Sequence, residues 1–166
     1  MIEIRIQSEP FDPAAEQASL WKGRPQVGAL VSFLGLMRDM NEGKAVARMT
    51  LEHYPGMTEK ALMAIAEEAA RRWSLDRVRI LHRVGALAPQ EPIVLVAVTS
   101  AHRGDAFRAC EFLIDYLKTR APFWKKETTS SGDHWVEARK ADDAAAGRWA
   151  AGQTPTAVSK RGVPPR

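Results

Sequence analysis

The sequence predicts a single α+β domain with a mixed or antiparallel sheet and flanking helices, on three observations. Short apolar or alternating runs bounded by Gly and Pro recur at strand length. Two longer stretches, Thr58 to Trp73 and Gly104 to Thr119, repeat apolar residues every three or four positions, as amphipathic helices do. Strand-like runs also follow one another with no helix between them, which calls for hairpin-like pairs and argues against a purely parallel sheet.

In chain order, Ile2 to Ile6 alternates as a half-buried strand does. Asp12-Pro13 places a helix cap before a first-turn proline, predicting a short helix from Pro13 to about Leu20. Lys22-Gly23-Arg24-Pro25 is a loop, and Val27 to Leu34 a second strand that ends in the turn Gly35-Leu36-Met37-Arg38. The polar segment Asp39 to Lys44, with Gly43, reads as a flexible turn. Val46 to His53 is a third strand, closed by Pro55-Gly56. In the helix that follows, Leu62, Ile65, Ala69 and Trp73 line one face, with Glu59 at its start and Arg71 and Arg72 at its end to suit the macrodipole. Val78 to Val84 and Ile93 to Thr99 are strands separated by a Pro-rich turn. His134 to Ala138 is a last short strand and Ala141 to Ala150 a helix. Residues 1–150 thus form the domain, and 151–166, with three prolines and few large apolar residues, are expected to be a disordered basic tail.

The stretch from Val98 to Glu127 organises the rest. A buried strand hands over at His102 and Arg103 to a helix whose apolar face is Ala106, Cys110, Leu113 and Leu117, with Phe107 and Ile114 beside them. Pro122 stops this helix by disfavouring α geometry at Ala121. His102 and Arg103 sit where side-chain cations and free N–H groups can face one anion. At the far end Lys118, Arg120, Lys125 and Lys126 crowd around Phe123 and Trp124, and crowding of this kind depresses lysine pKa values. Arg38, in a turn after a strand, is another candidate for an anion. The fifteen residues from Arg103 to Lys118 span about 22 Å at the helical rise, too far for both ends to hold one small metabolite. Either there are two sites, or a second copy of the chain completes one; the second arrangement is favoured.

Composition narrows the function. A chain of 166 residues buries roughly 70% of its unfolded surface. No apolar run approaches the roughly 20 residues of a membrane helix, and the start lacks a signal-peptide core, so a cytoplasmic location is expected. The tail holds three of the 24 Lys and Arg and none of the 20 acids, so the body is close to neutral and a nucleic-acid partner is not expected. Cys110, alone, excludes an internal disulfide and any cysteine-cluster metal site, and its place on an apolar face marks it as core rather than a sulfur carrier. His53 and His82 have no second ligand at metal spacing. No metal and no cofactor is expected.

Three segments carry a resemblance: Leu51-Glu52-His53-Tyr54-Pro55-Gly56-Met57; Val98-Thr99-Ser100-Ala101-His102-Arg103; and Tyr116 to Glu127, YLKTRAPFWKKE. With Trp135-Val136-Glu137-Ala138-Arg139, they resemble the large, catalytic subunit of molybdopterin synthase, over about Ile4 to Trp149. The resemblance implies an α/β-hammerhead domain that forms a homodimer, with a small ubiquitin-like subunit at each end, two large and two small chains in all. It implies transfer of sulfur from the small subunit's C-terminal Gly-Gly thiocarboxylate to cyclic pyranopterin monophosphate, forming the dithiolene of molybdopterin. Lys118 and Lys125 match the catalytic lysines. Arg38, with the backbone of Leu36 and Met37, matches the substrate-binding turn, and His102 and Arg103 match the pair contributed by the neighbouring subunit. Lys126 and Glu127 adjoin the second lysine, and Arg139 matches another pocket arginine. The rival class is a non-catalytic binding module, for RNA or as an acceptor of a ubiquitin-like protein.

Overall fold

The computed structural model describes residues 1–137 and 139–150. The tail 151–166, expected to be disordered, and Ala138, expected to end a strand, lie outside the described residues. In chain order the elements are β1 (Ile2–Gln7), α1 (Pro13–Trp21), β2 (Ala29–Leu36), β3 (Met40–Asn41), β4 (Lys44–Ala45), β5 (Arg48–His53) and α2 (Met57–Arg72). Then follow β6 (Arg77–Arg83), β7 (Gly85–Leu87), β8 (Pro92–Ser100), α3 (Arg103–Arg120), β9 (Phe123–Thr129), β10 (Gly132–Val136) and α4 (Lys140–Ala150).

A first sheet has the order β1-β6-β8-β2, and only its β1–β6 pair is parallel. The second, β10-β9-β5-β7, is antiparallel throughout, and β3–β4 is a small separate hairpin. The expectation of an α+β domain with mixed and antiparallel pairing is met.

The first sheet is covered on both faces, which is why β8 is apolar almost without a break, Val94 to Val98 all being buried. On one face Val78, Ile80, Val94, Val96 and Val98 pack against α2, α3 and α4. On the other, Leu81, Leu95 and Ala97 pack against Leu20 of α1. That helix starts as its sequence dictates: the Asp12 carboxylate accepts from the N–H groups of Ala14 and Ala15, with Pro13 in the first turn. Arg79 ties the same helix to the sheet through Glu3 and Glu16. α4 closes the first face: Trp149 meets Trp73 and Phe112 edge-on, and its Nε1 donates to Asp115 at 2.7 Å.

Several expectations are corrected. β2 runs to Leu36, two residues beyond the predicted end, because Gly35 and Leu36 still pair with Val94 and Pro92 across an irregularity. The segment Asp39 to Lys44 is not a loose turn; it holds the β3–β4 hairpin, reversed at Glu42 and Gly43, both at positive φ as a primed turn requires. β7 and β9 were not anticipated. β10 starts at Gly132, two residues early, because it pairs with β9 from its last residue, Thr129, back to Lys125. Phe107, expected beside the apolar face of α3, is 61% exposed, and the buried face also includes Ala109, Phe112 and Tyr116.

Candidate active site

One cavity of about 380 Å³ opens where the two sheets and the end of α3 meet. β9 supplies its reactive wall. Side chains alternate along a strand, and Phe123, Lys125 and Glu127 share the cavity face with their register partners Leu51, Met49 and Val136. The strand is held at its start by Thr58, whose hydroxyl donates to the Pro122 carbonyl at 3.0 Å. Lys118, in the last turn of α3, lines the cavity beside Leu117. Leu36, Met37 and Arg38 enter from the end of β2, Asn41 from the hairpin, and Arg139 and Asp142 from the approach to α4 and its first turn.

The charges are ordered. Lys125 Nζ pairs with Glu127 at 3.1 Å. Asn41 Nδ2 donates to both Glu127 oxygens at 3.0 Å, and Arg139 donates to Asn41 Oδ1 at 2.8 Å. Burial would raise the Glu127 carboxyl, but Asn41, Lys125 and Arg139 outweigh it and hold it below the ordinary glutamate value. Lys118 keeps surface open to solvent through the cavity mouth while protein packs around its ammonium. That loss of water lowers its pKa; Lys125, Arg139 and Arg38 lower it further and Asp142 opposes them. Beneath it, His82 is buried and stacked on Phe123 at 3.9 Å between ring centroids. Its Nδ1 lies 2.7 Å from the Arg83 carbonyl and must carry the proton, which leaves Nε2 a bare acceptor.

Seven of the ten residues picked from the sequence therefore meet in one cavity: Leu36, Met37, Arg38, Lys118, Lys125, Glu127 and Arg139. Within the turn the backbone of Met37 is already occupied: its N–H donates to Glu91 and its carbonyl accepts from Gln90. Lys126 is on the opposite face of β9, over the Trp135 ring and 3.8 Å from Asp133. Arg120, part of the same predicted cluster, lies over Tyr116 instead. His102 and Arg103 are exposed at the other end of α3, outside this cavity. Cys110 is buried in the core and its thiol is pushed up to about 11 by burial, unsuited to carrying sulfur. Sequence reasoning passed over Asn41 and Asp142, and weighed His82 only as a metal ligand. Among the described residues, no cluster of His, Cys, Asp and Glu has metal-site geometry, and no helix is long and apolar enough to cross a membrane.

The model of the MoaE protein family matches residues 6–120. The chain belongs to the MoaE family. A molybdopterin synthase catalytic subunit from Pseudomonas aeruginosa is 58% identical over 146 residues, covering 88% of this chain and 97% of that protein. A molybdopterin biosynthesis MoaE protein from Burkholderia ambifaria, of known structure, is 58% identical with a TM-score of 0.77 over 90% of this chain and 99% of that one. A Helicobacter pylori chain, solved as a complex of subunits 1 and 2 of molybdopterin-converting factor, shares the fold at 15% identity, with a TM-score of 0.67 over 83% of this chain and 91% of that one.

Proposed function

We propose that this MoaE-family chain moves sulfur from the C-terminal thiocarboxylate of a small ubiquitin-like subunit to cyclic pyranopterin monophosphate, in a pocket shared by two copies of the chain. By family it is the catalytic subunit of a molybdopterin synthase, an enzyme of molybdenum cofactor biosynthesis that converts the cyclic pterin to molybdopterin. The observation that carries the finer reading is Lys118, held in the cavity with its pKa lowered and with Lys125 and its Glu127 partner alongside.

Two anions, a cyclic phosphate and a thiocarboxylate, must approach each other there. Lys118 offsets the charge at the donor terminus, and with its affinity for protons reduced it exchanges one readily. Lys125 serves as the acid when the phosphate ring opens, and Arg38 and Arg139 bind the phosphate by charge-assisted hydrogen bonds. With Lys118 protonated, the cavity wall holds four cations, Arg38, Lys118, Lys125 and Arg139, against the carboxylates of Glu127, Glu137 and Asp142. That single-charge excess is small for two anions. His102 and Arg103 of a second copy would raise it.

The sheet supports such a pairing. β2 is an edge strand, ALVSFLGL, free of charge and proline, with Phe33 and Leu36 exposed. Its start pairs with Ser100, just before His102 and Arg103, and its end is Leu36 at the cavity. A second copy laid antiparallel along this edge about a two-fold axis brings its own His102 and Arg103 to the first copy's Leu36 and Arg38. The small subunit then docks at each outer end and threads its terminus toward Lys118, giving two large and two small chains. The fold's occurrence in the Helicobacter pylori two-subunit complex is consistent with this.

The test is reconstitution from purified chain, thiocarboxylated small subunit and cyclic pterin, assayed for dithiolene. Lys118→Ala is expected to lower turnover by about 10²-fold or more, with assembly of the subunits unchanged by native mass measurement. Unimpaired turnover in that variant contradicts the role given to Lys118.

A further inference from the structure

The β3–β4 hairpin has no obvious part in sulfur transfer, yet Met40 and Asn41 both line the cavity, and Asn41 reaches its charged groups. Asn41 uses both ends of its amide. Nδ2 donates to Glu127 Oε1 and Oε2, both at 3.0 Å, and Oδ1 accepts from the Arg139 guanidinium at 2.8 Å. Glu127 in turn pairs with Lys125 at 3.1 Å. We propose that Asn41 is a positioning residue, which locks the Glu127–Lys125 pair and Arg139 into one unit and fastens the hairpin over the cavity. The inference rests on reading Lys125 and Arg139 as residues of the transfer site.

The chemistry singles out a carboxamide. Glu127 is almost fully buried, so its two oxygens need donors from the protein. An aspartate at position 41 would turn an acceptor toward a carboxylate, and an apolar residue would take the amide donor from Glu127, leaving it Lys125 alone, and the amide acceptor from Arg139. Charged and titratable groups reach the same cavity from the neighbouring elements: Lys125 on β9, Glu137 after β10, Lys118 on α3, His82 on β6, Arg38 after β2, Arg139 before α4 and Asp142 on it. From β5 the register partner of Glu127 is the uncharged Met49. From β10 it is His134, whose Nε2 lies 3.2 Å from the Ser131 hydroxyl. Asn41 is thus the neutral link between an anion and a cation that do not bond directly among the described residues.

The test uses the full chain assembled with its small subunit. Asn41→Asp and Asn41→Ala are compared with the unaltered protein for kcat and KM across a pH series, with thermal unfolding recorded alongside. The Asp variant is expected to lose about tenfold in kcat near neutral pH, because two carboxylates then face each other. Relative to the unaltered protein it should recover as the pH falls and the pair takes up one shared proton. The Ala variant, which has no proton to gain, should be impaired at every pH. Carbon-detected NMR of the Glu127 carboxyl supplies a readout that needs no turnover: its titration should move up in Asn41→Ala. If Asn41→Asp fails to fold, Asn41→Ser, which keeps a donor, takes its place and should lose less than Ala. A constant ratio of Asp-variant to unaltered turnover across pH, or a Glu127 titration unmoved in the Ala variant, overturns the proposal. Absence of any turnover in the unaltered protein would contradict the sulfur-transfer reading, while the Glu127 titration still decides the role of Asn41.

Discussion

His82 shows how much a single buried ring sets the behaviour of this site. Burial holds its pKa down to about 4 against the ordinary 6.5, with the nearby Lys118 and His53 charges adding to the effect. A histidine with a depressed folded-state pKa binds a proton more readily in the unfolded chain. Its contribution to stability is therefore complete above about pH 6.5 and is lost as pH falls toward 4. His82→Gln, which cannot take up that proton, should flatten the dependence of unfolding free energy on pH across this window. Urea denaturation at a series of pH values measures it, and an unchanged slope would place the acid sensitivity elsewhere. The sequence showed only that it lacks a second metal ligand, because a lone histidine in a strand looks the same whether it faces a core or a cavity. Asn41 was hidden for a related reason: beside Glu42 and Gly43 it has the composition of a turn, and only the tertiary fold brings it to Glu127. Lys118 and Lys125 were readable because their long flanking segment is distinctive.

At the scale of elements, periodicity made the helices plain and burial blurred the strands. α2 and α3 are within a residue or so of their expected ends, since three-to-four spacing and terminal charges mark a helix independently of its neighbours. β9 escaped notice because its two faces both carry charge: Lys125 and Glu127 turn into the cavity while Lys126 turns to Trp135. An alternation of apolar and polar residues cannot appear in a strand whose inner face also carries charge. Phe107 errs in the opposite sense, an apolar residue left exposed beside an edge strand. α4 has a structural duty as well as a place at the cavity. Trp149 packs on Trp73 and Phe112 and anchors the helix whose first turn brings Asp142 to Lys118. Trp149→Ala should destabilise the fold by about 3–5 kcal/mol. Chemical denaturation gives that figure, and a loss under about 1 kcal/mol would mean that α4 is not part of the cooperative core.

For the whole molecule the decisive quantity is distance. α3 carries Arg103 and Lys118 at opposite ends, and a rod of its length separates them by about 22 Å. The cavity gathers Lys118, Lys125, Arg38 and Arg139 and leaves His102 and Arg103 outside, on an exposed surface continuous with the free edge of β2. That division was foreseeable from helix geometry alone. The edge along which the proposed pairing runs was not, because strand order is a property of the folded sheet.

The most direct measurement is complementation between two defective copies. Lys118→Ala and Arg103→Ala chains, each impaired as a homodimer, are co-expressed with different tags and the mixed dimer is purified with its small subunits. A pocket built from both chains leaves one of the two sites intact in that dimer, so turnover should return to about half that of the unaltered protein. Turnover no higher than that of the two parent variants would mean that each chain builds its pocket alone, and would contradict the account.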